Sequence, residues 1–97
     1  MDTTELSRVA SSIIEDIDGI YGEHVLIVYN NEITPIDSVI QCFVSYIPCS
    51  WEYARVCAFE IHRNGSMAVM ESSYSNCYRV REKLKAIDVR SEIEKQS

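Results

Sequence analysis

Asn30, Asn31 and Glu32 stand in a row between an apolar run, Val25-Leu26-Ile27-Val28-Tyr29, and the segment Ile33-Thr34-Pro35-Ile36; an isolated histidine follows at His62 in Ile61-His62-Arg63-Asn64-Gly65. An amide oxygen, a carboxylate and a neutral imidazole nitrogen are all hydrogen-bond acceptors. Gathered at the edge of an apolar pocket, Asn30, Asn31, Glu32 and His62 could surround a small cation. That is the chemistry of recognition, not of a reaction.

Other chemistry fits poorly. The chain shows no Ser/His/Asp set, no glycine-rich phosphate loop and no metal-ligand cluster, so a non-enzyme without cofactor or metal is expected. Its four cysteines, Cys42, Cys49, Cys57 and Cys77, form no C-x-x-C pair. Buried, reduced thiols acting as small hydrophobes are the expectation. Cys57 and His62 lie five residues apart, which at helical pitch turns them about 140° from one another, so a thiol hydrolase is disfavoured.

The elements that must position these residues follow from local signals. Asp2-x-x-Glu5 resembles a helix-start box, and Leu6, Val9, Ala10, Ile13, Ile14 and Ile17 recur at helical spacing, so residues 3–18 read as an amphipathic helix ended by Gly19. Glu15, Asp16 and Asp18 fall on its polar side. Its apolar stripe must pack on the rest of the domain or on a partner. The β-branched run 25–29 predicts a strand buried on both faces or nearly so.

Thr34 as N-cap with Pro35 at the first helical position opens a helix burying Ile36, Val39, Ile40, Phe43, Val44 and Ile47, and Pro48 stops it. Ser50 caps a second helix from Trp51 to Arg63, closed by Asn64-Gly65. Met67, Val69 and Met70 mark a strand. Tyr74, Cys77, Tyr78, Val80, Arg81, Leu84 and Ile87 predict a third core helix, and Arg79, Arg81, Lys83 and Lys85 give it a basic face. Val89, Ser91 and Ile93 alternate as a final edge strand. The order α-β-α-α-β-α-β predicts a small α/β (α+β) two-layer sandwich, a three-stranded sheet packed against helices, with an extra N-terminal helix. The expected organisation is residues 1–20 as that helix and 23–97 as one core domain.

Composition sets the outer bounds. Ninety-seven residues, 46% hydrophobic and 25% charged, suit one folded domain. A formal net charge of -6 and a pI near 4.8 argue against nucleic acid as a partner, since phosphate contacts need a basic surface. The apolar stretch Val25–Tyr29 is far short of the roughly 20 residues that span a bilayer, and residues 1–20 lack a signal-peptide layout. A cytoplasmic chain is expected.

The stretch Asn30-Asn31-Glu32-Ile33-Thr34-Pro35-Ile36 resembles the Asn-Asp-Asp-x-Thr-Pro-Met signature of the ClpS family, adaptors that hand N-degron substrates to a Clp-type AAA+ unfoldase and its protease. Ile61-His62-Arg63-Asn64-Gly65 is similar to the family's Val/Ile-His-x-x-Gly, at the family's spacing. The similarity runs residue by residue over 25–65 and in pattern only over 66–95. It implies a ClpS-like core and no catalysis. It also implies that Asn30 and His62, with Asn31 and Glu32 beside them, meet a substrate's free α-amino group. Thr34, Ile36, Val39, Ala58 and Ile61 would line the pocket for a bulky hydrophobic first residue. Protonation of His62 would then weaken binding.

The chain departs from the family pattern in named places. Asn31 replaces an aspartate, while Glu32 keeps a carboxylate on a longer arm. Ile36 replaces a methionine, and Ala58 stands where the family commonly has a bulkier residue, changing which first residues fit. Where the family carries a flexible N-terminal extension, residues 3–18 here read as an ordered amphipathic helix. The alternative reading is a divergent ClpS-fold module that binds or inhibits a protein partner, such as the unfoldase, through its N-terminal helix without N-degron recognition. The C-terminal domain of the ribosomal stalk protein shares the general architecture, but its glycine- and lysine-rich helix face is missing.

Overall fold

The computed structural model describes residues 23–96; the N-terminal helix expected over 3–18 lies outside them. The described elements run β1 (His24–Tyr29), α1 (Ile36–Tyr46), α2 (Trp51–Asn64), β2 (Ser66–Ser72), α3 (Tyr74–Lys85) and β3 (Ser91–Lys95). The strands form one antiparallel sheet in the order β2-β1-β3, so the apolar run became the central strand. The expected two-layer α+β arrangement is what forms. No helix among the described residues is long and apolar enough to cross a membrane.

Leu26 and Val28 are fully buried and join Phe43, Ile40, Ala54, Cys57, Ile61, Val80 and Leu84 in one core. Val25, Ile27 and Tyr29 are only partly buried, so among the described residues β1 is fully covered on one face and partly on the other, against the expected burial on both faces or nearly so. Alternation explains this: the core helices contact only every second side chain of a strand. A bulge between Leu26 and Ile27 skips Val69 of β2. Its carbonyl oxygen instead accepts the Tyr53 hydroxyl of α2 at 3.0 Å, which locks the helix to the sheet.

Helix ends were mostly set by local chemistry. Ser50 Oγ accepts the Tyr53 N–H at 3.0 Å, and Gly65 closes α2 in the left-handed region at φ 95°. Ser73 caps α3 through the Asn76 N–H at 3.1 Å. Thr34 does not cap α1. Pro35 holds the N-cap position, and the Thr34 hydroxyl instead donates to the Ile87 carbonyl at 2.6 Å.

The end of α3 also differs from expectation. The helix stops at Lys85, and residues 86–88 turn through Asp88 at φ 66° before β3 begins at Ser91. Ile87 and Val89 thus pack from this turn and the strand approach, Val89 being buried. Tyr74 and Tyr78 are exposed rather than core residues. The expected basic face is split: Arg79 borders one cavity, while Arg81 and Lys85 border another. Cys42, Cys57 and Cys77 are buried and Cys49 partly so, all as free thiols, and burial pushes each of them above the usual thiol range.

Candidate functional site

The site forms where β1 ends. Tyr29 N–H donates to the Arg90 carbonyl at 3.0 Å and Asn30 N–H to the Gly65 carbonyl at 2.9 Å. The first bond holds the strand end to the approach of β3; the second holds the start of the loop to the end of α2, beside His62. The pairing of Tyr29 with Ser66 brings the polar loop to this helix terminus, and the bond fixes it there.

Asn31 organises that loop. Its Oδ1 accepts the backbone N–H groups of Ile33 at 3.0 Å and Thr34 at 2.8 Å, an Asx turn. Its Nδ2 donates to the Asp88 carbonyl at 2.5 Å and to Thr34 Oγ1 at 3.2 Å. Both ends of the amide are therefore engaged within the fold. Together with the Thr34–Ile87 bond, this pins residues 31–34 to the turn after α3.

A cavity of about 270 Å³ opens between this loop, α1 and α2. It is bordered by Asn30, Asn31, Glu32 and His62, and by Thr34, Ile36, Val39, Ala58 and Ile61, so all the residues singled out in the sequence meet at one cavity. Val28, Ala58, Ile61 and Val89 are buried and form apolar wall, whereas Glu32 and His62 are exposed and Asn30 and Asn31 partly so. The cavity has a polar rim and an apolar interior. Val28, Tyr29, Phe59 and Val89 also border it, and the sequence reading had not named them as site residues. Phe59 follows Ala58 on α2 with half its surface exposed; Val28 is the last inward residue of β1.

Asn30 Nδ2 donates to Glu32 Oε2 at 3.3 Å. That turns the amide nitrogen toward the carboxylate and leaves Asn30 Oδ1 without a partner among the described residues. The Asn30 oxygen, the Glu32 carboxylate and a neutral His62 nitrogen make a set of acceptors matching the donors of an ammonium group. Next to His62, the Arg63 guanidinium pairs with Glu60, which also takes the Asn64 amide at 2.7 Å, so that cation is occupied within its own helix. On the far side the Arg90 guanidinium lies 4.1 Å from the centre of the Tyr29 ring. Partial desolvation, together with the Glu92 carboxylate that accepts its hydroxyl at 3.2 Å, raises the Tyr29 phenol above its usual range.

Among the described residues no group of three or more His, Cys, Asp or Glu is arranged to hold a metal ion. A family model described as ATP-dependent Clp protease adaptor protein ClpS matches residues 21–93. No curated protein matches the chain.

Proposed function

The chain belongs to the ClpS family of ATP-dependent Clp protease adaptors, and from that premise we propose that it recognises proteins by a free α-amino group and a bulky hydrophobic first residue. It delivers these N-degron substrates to a Clp-type AAA+ unfoldase in the cytoplasm. Asn30, Glu32 and His62 hold the ammonium. Asn31 contributes by shaping the loop rather than by direct contact, its amide being already bonded at both ends.

The carrying observation is a single cavity that combines an acceptor-rich rim with an apolar interior. Its size supports the reading: an apolar cavity of ~150 Å³ holds a benzene ring, and this one, at about 270 Å³, is larger. The charge requirement is equally specific. A hydrogen bond to a charged group contributes about 1.5–3 kcal/mol, enough to distinguish a free amine from an acylated one.

Nuclear magnetic resonance titration of the labelled protein with a short peptide starting with Phe tests the assignment. Shifts concentrated on Asn30, Glu32, Ala58 and His62 are expected. Shifts confined to other surfaces would overturn it.

A further inference from the structure

At the opposite end of β1 a larger cavity, of about 490 Å³, opens between the C-terminal end of α1, the N-terminal end of α2, β2 and α3. Ile47, Pro48, Val69 and Met70 give it an apolar wall; Tyr46 and Arg79 stand on its border. The apolar surface extends beyond it, since Tyr46 is exposed with Lys83 Nζ 5.2 Å from its ring centre, and exposed Tyr74 and Tyr78 stack 6.2 Å apart on α3. An apolar hollow flanked by exposed aromatics on a small domain calls for an occupant.

Three observations name one. The chain enters β1 at His24, whose register partner is Ser72, and Ser72 borders this cavity. His24 Nδ1 is buried without a hydrogen-bond partner among the described residues, and its ring meets Tyr74 at 5.6 Å, so the entry point itself is tied to α3. The segment that precedes it carries the stripe Leu6, Val9, Ala10, Ile13, Ile14 and Ile17, with Asp2, Glu5, Glu15, Asp16 and Asp18 against a single Arg8. The cavity's helical side presents Arg79, and Lys83 one turn on, neither of them in an ion pair with a described residue. Its one acid, Glu71, lies on the strand side and accepts the Gln96 amide at 3.2 Å.

We propose that residues 3–18 of this chain form an amphipathic helix seated in this cavity, the apolar stripe against Ile47 and Met70 and the acids toward Arg79 and Lys83. Reach is sufficient. Residues 19–23 can span about 17 Å at roughly 3.3–3.6 Å each, enough to turn back over Ser72, and a helix of that length covers about 24 Å. The docked helix lies at the end of the sheet away from Asn30 and His62, so it leaves the peptide cavity open.

Cys49 borders the cavity and is only partly buried, unlike the other three thiols, which makes it a reporter in the full-length chain. Pulse alkylation with iodoacetamide, mapped by mass spectrometry, is compared between the native chain and the double variant Ile13→Asp, Ile17→Asp. Undocking raises the Cys49 rate by about tenfold, with Cys42, Cys57 and Cys77 unchanged and peptide affinity retained. Amides of residues 3–18 in the native chain are expected to be protected from hydrogen exchange. Equal Cys49 rates in the two proteins, or unprotected amides over 3–18, would overturn the proposal; so would Cys49 protection that vanishes on dilution, which would assign the cavity to a second copy. If the double variant labels all four thiols together it has unfolded, and the surface variant Lys83→Glu decides: a faster Cys49 alone supports docking, and an unchanged one contradicts it.

Discussion

The side-chain amide of Asn31 and the backbone carbonyl of Asp88 meet at 2.5 Å across 57 residues of sequence. With the 2.6 Å bond from Thr34 to Ile87, this makes the rim of the cavity beside His62 and the turn after α3 one structural unit. Asn31→Ala removes the acceptor of two loop N–H groups and a donor to the turn, and should lower stability by about 1–3 kcal/mol. Urea unfolding checks it: the midpoint falls while the slope stays unchanged.

Among the described residues, the carboxylate of Glu32 is the only formal negative charge bordering the cavity. Glu32→Gln keeps the shape and removes that charge, and His62→Ala removes an acceptor. Each should weaken a Phe-starting peptide by about ten- to a hundredfold, corresponding to a charged hydrogen bond. Both side chains are exposed, so thermal midpoints should hardly move. Calorimetric titration paired with melting curves separates the two effects.

Ala58 faces the cavity from α2 and is 3% exposed. Ala58→Leu fills part of that space and should reduce affinity for Trp- and Phe-starting peptides by about tenfold or more, with a smaller effect on shorter first residues. Competition binding across a panel of first residues reads this out. A uniform loss across the panel would mean that Ala58 does not shape specificity.

Tyr53 gives the fold an alkaline limit. Burial, then the neighbouring Cys57 thiol, pushes its phenol up to about 12 from 10.0. The folded state therefore favours the neutral form, and that contribution is complete below pH 10.0 and lost as pH climbs through about 12. Because the ring is 43% exposed, solvent screening keeps the effect small. In Tyr53→Phe the stability lost between these pH values should be smaller than in the native chain, measured by chemical unfolding. At neutral pH the variant should be less stable by about 1 kcal/mol for the lost bond to Val69.

What the sequence disclosed was what local chemistry decides. Ser50 and Gly65 bound α2 because a cap and a left-handed glycine act within a few residues. The strand-loop-helix run around Asn30 and the approach of His62 were legible for the same reason, helped by motif spacing. Thr34 was read as a cap because nothing nearby reveals that the Ile87 carbonyl, 53 residues on, would take its hydroxyl. The same distance hid the role of Asn31, and it hid Val89, which was read as the start of the last strand but reaches the cavity wall just after the turn that ends α3. Phe59 was hidden for a different reason: one residue on from Ala58, it is turned about 100° around the helix from the face expected to line the pocket.

The central claim is that a free α-amine and the side chain beside it are read together in the cavity bordered by Asn30, Glu32, Ala58 and His62. Fluorescence anisotropy with dye-labelled Phe-starting peptide and its acetylated twin tests both at once. Micromolar or tighter binding that acetylation abolishes is the predicted result. Equal binding of the two peptides, or binding of neither, would contradict it.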